Sequence, residues 1–376
     1  MTAAIAIPAS TIVDPSQEID TPCLVIDEGI LHQNISEMAA WAKSIDVALR
    51  PHIKTHKTPQ IAKLQLAAGA IGITCAKLGE AEVMADAGID DILIGHEVIG
   101  EPKIRRLLAL MERARMIVGV DSHEGAEALS DAMSRAERTI EVMIEVDTGH
   151  HRAGAPAGEP AARLALDVAR LPGLRVIGLF THEGHANAAP PDQIEEVARE
   201  AGRAMVETAE LIRSQGLEID VVSVGSTPAA AYTPTVPGIT EMRPGTYVFR
   251  DTSGFRYGIY GPDRCAARIV ATVVSRPAPD RAVLDAGSKV LALDKNPSHP
   301  GHGYIVGHER AIIDRLSEEH GVVIVPPEEQ GLRIGDRVEV IPNHICPVVN
   351  LADELLVVQN GRVTDTWKVA ARGKVR

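Results

Sequence analysis

Short apolar runs alternate with stretches of helical spacing along the first two thirds of the chain. After a run at 21–27, apolar residues recur at Leu31, Ile35, Met38 and Trp41, which predicts an amphipathic helix. From there strand-like runs follow at 47–53, 70–75, 91–94, 116–120, 140–146, 174–180, 221–224 and 239–249. Helical stretches separate them at 58–68, 79–87, 101–114, 122–138, 160–170 and 193–215, several closed by Gly. Eight strand–helix units in this order imply a parallel (β/α)8 TIM barrel, an α/β fold whose active site lies at the C-terminal ends of the strands. A doubly wound sheet shares the alternation, but no GxGxxG follows the first strand.

Past residue 257 the texture changes to short β-branched runs separated by Gly, Pro and Asn-Gly turns, at 266–274, 281–285, 322–325, 337–341, 355–359 and 362–369. This predicts a C-terminal β domain. The strand around Cys23 has no helix partner of its own and is expected to join that domain. The expected division is an N-terminal lead (1–19), a strand joining the β domain (20–30), a barrel (31–256) and the β domain (257–376).

Composition narrows the class. Aromatic residues make up only 3%, so packing must rest on Ala, Val, Leu and Ile, which suits a barrel interior. The net charge of −13 argues against nucleic acid or an anionic membrane surface as partner. Cys23, Cys75, Cys265 and Cys346 are scattered without a CxxC pair, which fits a reducing, cytoplasmic setting. The N-terminal residues lack a basic region and an unbroken apolar run, so no signal peptide is expected.

Polar residues gather where the barrel reading puts strand ends. The first run leads into Arg50-Pro-His52-Ile-Lys54-Thr-His56-Lys57. A lysine at the end of a buried strand can act as an amine nucleophile, and Lys54 is the candidate, with His52 as neighbour on the same strand face and Lys57 left in a solvated loop. A basic loop that only holds an anion is the alternative. The fifth run ends in Glu145, Asp147, His150, His151 and Arg152, and the sixth in His182-Glu-Gly-His185. Ser226 and Thr227 after the seventh, with Gly245, Thr246 and Tyr247 in the eighth, offer backbone N–H groups and hydroxyls for a phosphate. A lysine facing a phosphate cradle describes a pyridoxal phosphate site. In the β domain, His344 and Cys346 are two apart; on a strand both would reach one metal ion, with water and substrate completing its shell. A core His beside a buried free Cys is the plainer alternative.

In order, the segments 50–57, 145–154, 182–185, 244–247, 285–287, 319–321 and 342–347 resemble the motifs of the D-threonine aldolase and D-serine dehydratase family of fold-type III pyridoxal phosphate enzymes. The resemblance runs from about residue 20 to 373. It implies a Schiff base on Lys54, Arg152 and His182 beside the cofactor, phosphate held by Ser226, Thr227, Gly245, Thr246 and Tyr247, and a divalent ion on His344 and Cys346. Thiolate chemistry favours zinc over manganese or magnesium. It further implies a homodimer acting on a small β-hydroxy-D-amino acid. Cys346 and the His182–His185 segment look like the dehydratase side, so β-elimination to a 2-oxo acid and ammonia is the leading expectation. Retro-aldol cleavage to glycine and an aldehyde is the alternative, with racemisation or cofactor binding without turnover as further ones.

Overall fold

The computed structural model describes residues 11–256, 258–296, 299–329 and 331–376. The first ten residues of the expected lead, and the domain boundary expected at 257, lie outside the described residues. The chain forms two compact units, one of residues 37–54, 61–245 and 374–376, the other of 11–36, 55–60 and 246–373.

The first unit is an eight-stranded parallel barrel. Its strands are Ala48–Leu49, Ile73–Cys75, Asp91–Ile94, Arg115–Val120, Ile140–Asp147, Leu174–Phe180, Val221–Val224 and Glu241–Met242. Each pairs in parallel with its sequence neighbours around the ring. A parallel bridge between His52 and Thr74 joins the first strand's end to the second and closes it. Successive side chains on a strand point to opposite faces, and the packing shows it: Ile92, Ile94, Val118, Val142 and Ile144 join the cluster that includes helix residues such as Ala81 and Leu107. Their alternates Leu93, Ile117, Met143 and Ile177 meet Phe180 inside the barrel.

Two details differ from the hydrophobic pattern. The first and eighth strands are cut to two residues each because Pro51 and Pro244 follow soon after and cannot donate to a ladder. Between the seventh and eighth strands, where the spacing names no helical stretch although eight strand–helix units imply one, stands a 3₁₀ turn, Thr233–Thr235. Pro228, Pro234 and Pro237 remove the donors a longer helix would need there.

The second unit is built on an antiparallel-rich sheet. Cys23–Asp27 runs antiparallel to Ala267–Ala278 and parallel to Glu354–Gln359, so the N-terminal strand does enter this sheet. Arg337–Ile341 pairs with Ala267–Ala278, and their contact buries the ion pair Arg268–Glu339 at 2.8 Å. Among the described residues no helix is long and apolar enough to cross a membrane.

Candidate active site

The C-terminal ends of the barrel strands surround a cavity of about 480 Å³ whose lining includes His52, Lys54, Glu97, Glu145, Arg152, His182, Gly225 and Arg243. Lys54 sits in a 3₁₀ turn, Ile53–Thr55, that begins where Pro51 has ended the first strand. His52 stays beside it because its Nδ1 accepts the Lys54 backbone N–H at 3.3 Å. The turn, and not the alternation of a strand, brings the two together.

His182 follows the sixth strand and is locked in one tautomer. Its Nδ1–H donates to the Gly225 carbonyl at 2.8 Å, leaving Nε2 with a lone pair. Burial pushes its pKa down to about 3, the Lys54 charge adds to this, and the bond to Gly225 opposes it. The ring is therefore neutral at physiological pH. His150 meets it edge-on, with ring centroids 5.6 Å apart.

Gly225 has no room for a side chain: a Cβ there would lie 2.9 Å from the Arg243 backbone. That close approach lets the loop after the seventh strand turn tightly, and it is tied by the Gly225 N–H donating to Glu183 at 3.0 Å. Glu183 is fully buried, and the loss of water raises its pKa. In the same loop the Ser226 hydroxyl accepts the Ala229 N–H. The Thr227 hydroxyl is buried without a hydrogen-bond partner among the described residues. A buried orphan hydroxyl is costly unless a ligand satisfies it, so this loop fits an anionic group such as the cofactor's phosphate. Gly245 belongs to the barrel unit, whereas Thr246 and Tyr247 belong to the other unit, in a 3₁₀ turn, Thr246–Val248, with Tyr247 buried.

Arg152 is half-exposed and stands 3.7 Å from the Glu145 carboxylate. Burial, then the neighbouring Glu97 carboxyl, raises the pKa of Glu145. A hydrogen bond with His96 holds Glu97 below the usual carboxylate range. Glu97 and His96 were missed in the sequence, although they directly follow the apolar third strand and the strand-end rule that found Lys54 applies to them equally.

His344 and Cys346 belong to the second unit, and they do not lie on a strand. His344 is the N-cap of a helix, Ile345–Leu351, and Cys346 is in its first turn. The Asp251 carboxylate accepts the Ile345 N–H and so anchors the helix start. Extended backbone at His344 still lets its ring reach Cys346. Burial is the largest influence on the His344 pKa and lowers it, but the hydrogen bond and charge interaction with Cys346, together with Asp251 and Asp294, outweigh it, and the net shift is upward. Asp294 lies 3.1 Å from Nδ1 and orients the ring. The Cys346 thiol also contacts the Thr55 hydroxyl at 3.3 Å. Among the described residues no group of three or more His, Cys, Asp or Glu side chains is arranged to hold a metal ion. The donor chemistry of this pair, an imidazole oriented by a carboxylate beside a thiol, fits an ion whose other positions go to water or substrate.

Lys57 is not in a solvated loop. It is buried in the second unit, with its ammonium 3.5 Å from the Ala371 carbonyl.

The chain matches the family model of the alanine racemase N-terminal domain over residues 26–253 and a serine dehydratase domain model over residues 266–358. It is 37% identical over 369 residues to a D-threonine aldolase of Arthrobacter sp., covering 96% of this chain and 94% of the relative. The crystal structure of D-threonine aldolase from Filomicrobium marinum is similar with a TM-score of 0.89 and 37% identity, over 95% of this chain and 97% of that one. A cysteine-to-alanine variant of D-threo-3-hydroxyaspartate dehydratase in its metal-free form is similar with a TM-score of 0.87 and 30% identity, over 94% and 98%.

Proposed function

The chain belongs to the family of D-threonine aldolases and D-serine dehydratases built on the alanine racemase barrel, and from that premise we propose that it is a pyridoxal phosphate-dependent lyase of β-hydroxy-D-amino acids that also uses a divalent metal. The observation that carries this reading is the barrel cavity, where Lys54, neutral His182 and Arg152 converge beside the loop that holds the orphan Thr227 hydroxyl.

Pyridoxal phosphate held there supplies an electron sink for the electron pair left at the substrate's Cα. Lys54 is the residue to bind the cofactor and to move a proton at Cα. His52 positions the turn that carries Lys54. His182 keeps a neutral acceptor toward the cavity, and Arg152 keeps a cation there against Glu145. Ser226, Thr227 and Gly245, with Thr246 and Tyr247 next in the chain, would take the phosphate. His344 and Cys346 would hold the metal, with Asp294 orienting the imidazole, and a Lewis acid there would grip the β-hydroxyl. The thiolate makes zinc the better match over manganese or magnesium. A homodimer is part of the same proposal, as is a reducing, cytoplasmic setting, to which the four free cysteines are suited.

Two bond cleavages start from these residues. Retro-aldol cleavage to glycine and an aldehyde is supported by the 37% identity to a D-threonine aldolase across nearly the whole chain. We take it as the leading outcome. Elimination to a 2-oxo acid and ammonia keeps two specific supports, Cys346 and the likeness to a hydroxyaspartate dehydratase. Incubation of the purified protein with D-threonine and D-serine, with and without chelator, decides between them. Glycine and aldehyde from D-threonine, lost with chelator, is the expected result. A 2-oxo acid as sole product overturns the aldolase reading in favour of elimination, and turnover of L-amino acids alone overturns both.

A further inference from the structure

In a closed ring of eight strands, those four places apart face each other across the barrel. The third strand, Asp91–Ile94, therefore opposes the seventh, Val221–Val224, and the fifth, Ile140–Asp147, opposes the first, Ala48–Leu49. Residues just after these strands inherit the opposition. Glu97 lies across the mouth from Ser226 and Thr227, and Glu145 lies across from Lys54. Glu97, Glu145, Lys54 and Gly225 all line the same cavity.

This opposition assigns an edge of the cofactor. A pyridoxal ring tied by its phosphate arm to the seventh-strand loop and by its carbonyl carbon to Lys54 has one edge left to face the carboxyls. That remote edge bears the pyridine nitrogen, para to the carbonyl-bearing carbon, and the methyl-bearing carbon beside it, while the phenol oxygen stays next to the carbonyl carbon.

The two carboxyls lie side by side, with Glu145 5% exposed and Glu97 15% exposed. Like charges so close and so poorly solvated cannot both ionise freely, so the pair holds one proton near neutral pH. The shifts agree: burial and Glu97 raise the Glu145 pKa, while His96 lowers that of Glu97. The charged groups facing them are Arg152 and Arg243 at Glu145, and His96 and Lys77 at Glu97. A side-chain hydrogen bond joins the two carboxyls, and the buried Glu97 Oε1 has no other partner among the described residues.

We propose that Glu97 and Glu145, with Arg152 beside them, face the ring edge remote from the phosphate, and that their shared proton exchanges with the pyridine nitrogen. As the N–H bond forms, a carboxyl O–H bond breaks, leaving two carboxylates next to Arg152 and Arg243. The strength of the electron sink is thus set by a carboxyl pair. This inference rests on the pyridoxal phosphate reading above.

The test follows the nitrogen resonance of ring-labelled (nitrogen-15) pyridoxal phosphate in the reconstituted protein across pH, for wild type, Glu145→Gln, Glu145→Asp and Glu97→Gln. The expected result is a pH-dependent resonance whose midpoint moves by about one pH unit or more in Glu145→Gln and Glu97→Gln, with Glu145→Asp closer to wild type. An identical midpoint in wild type and every variant that takes up cofactor overturns the inference while leaving the cofactor reading intact. A wild-type protein that takes up no pyridoxal phosphate overturns both.

Discussion

The His182 Nδ1–H donates to the Gly225 carbonyl at 2.8 Å, and this one bond fixes the tautomer of the best-buried histidine of the cavity, which burial keeps neutral. It also ties the end of the sixth strand to the loop after the seventh.

That arrangement gives the apoprotein a pH signature. In the fold His182 has a pKa of about 3, against an ordinary 6.5 when unfolded. Below 6.5 the unfolded chain binds a proton that the native ring refuses. The contribution of His182 to stability is therefore full above 6.5 and is lost as pH falls toward 3. Denaturant melts across this range should show a decline in wild type that is flatter in His182→Asn.

The orphan hydroxyl of Thr227 predicts a binding defect. A hydrogen bond to a charged group contributes about 1.5–3 kcal/mol. Thr227→Val should then weaken pyridoxal phosphate binding by roughly 10–100-fold, with Thr227→Ser near wild type. Absorbance titration of the apoprotein with the cofactor measures it.

How much of this was visible in the sequence depended on whether a pattern was local. The eight barrel strands could be read because buried parallel strands are near-continuous apolar runs, and Ile92–Ile94 or Val221–Val224 show it in three or four residues. The break in the alternation before the eighth strand is local too, written in Pro228, Pro234 and Pro237, and no helical spacing is present there. The His344–Cys346 segment looked like a strand, since nothing within it reveals that Asp251, far away in sequence, caps a helix there. Lys57 reads as a solvated charge, and its burial follows from tertiary packing near Ala371. Pairing of Glu97 with Glu145 joins residues from two strand ends, so no spacing in the sequence encodes it.

A metal prediction follows from Asp294. Carboxylates that orient a ligating histidine typically contribute 10–100-fold in affinity. Asp294→Ala should weaken divalent metal binding by about that factor, and Cys346→Ser should shift preference away from zinc. Metal content after dialysis against graded chelator checks both.

Structural stability should be most sensitive at Arg50. It is 3% exposed and bonds Glu241, itself 4% exposed, at 2.8 Å, while also pairing with Asp91. Removing one member of a buried pair typically costs about 3–5 kcal/mol because the partner charge is stranded. Arg50→Ala should lose about that much in urea denaturation, and Arg50→Met with Glu241→Met should recover part of it.

The central claim is that Lys54 carries the cofactor. The purified protein loaded with pyridoxal phosphate should be reduced with borohydride, digested and mapped by mass spectrometry. The account predicts a pyridoxyl group on the peptide bearing Lys54, with no labelling in Lys54→Ala and turnover there lower by at least about 10²–10⁴-fold. Labelling of another lysine, or equal labelling in Lys54→Ala, would contradict it.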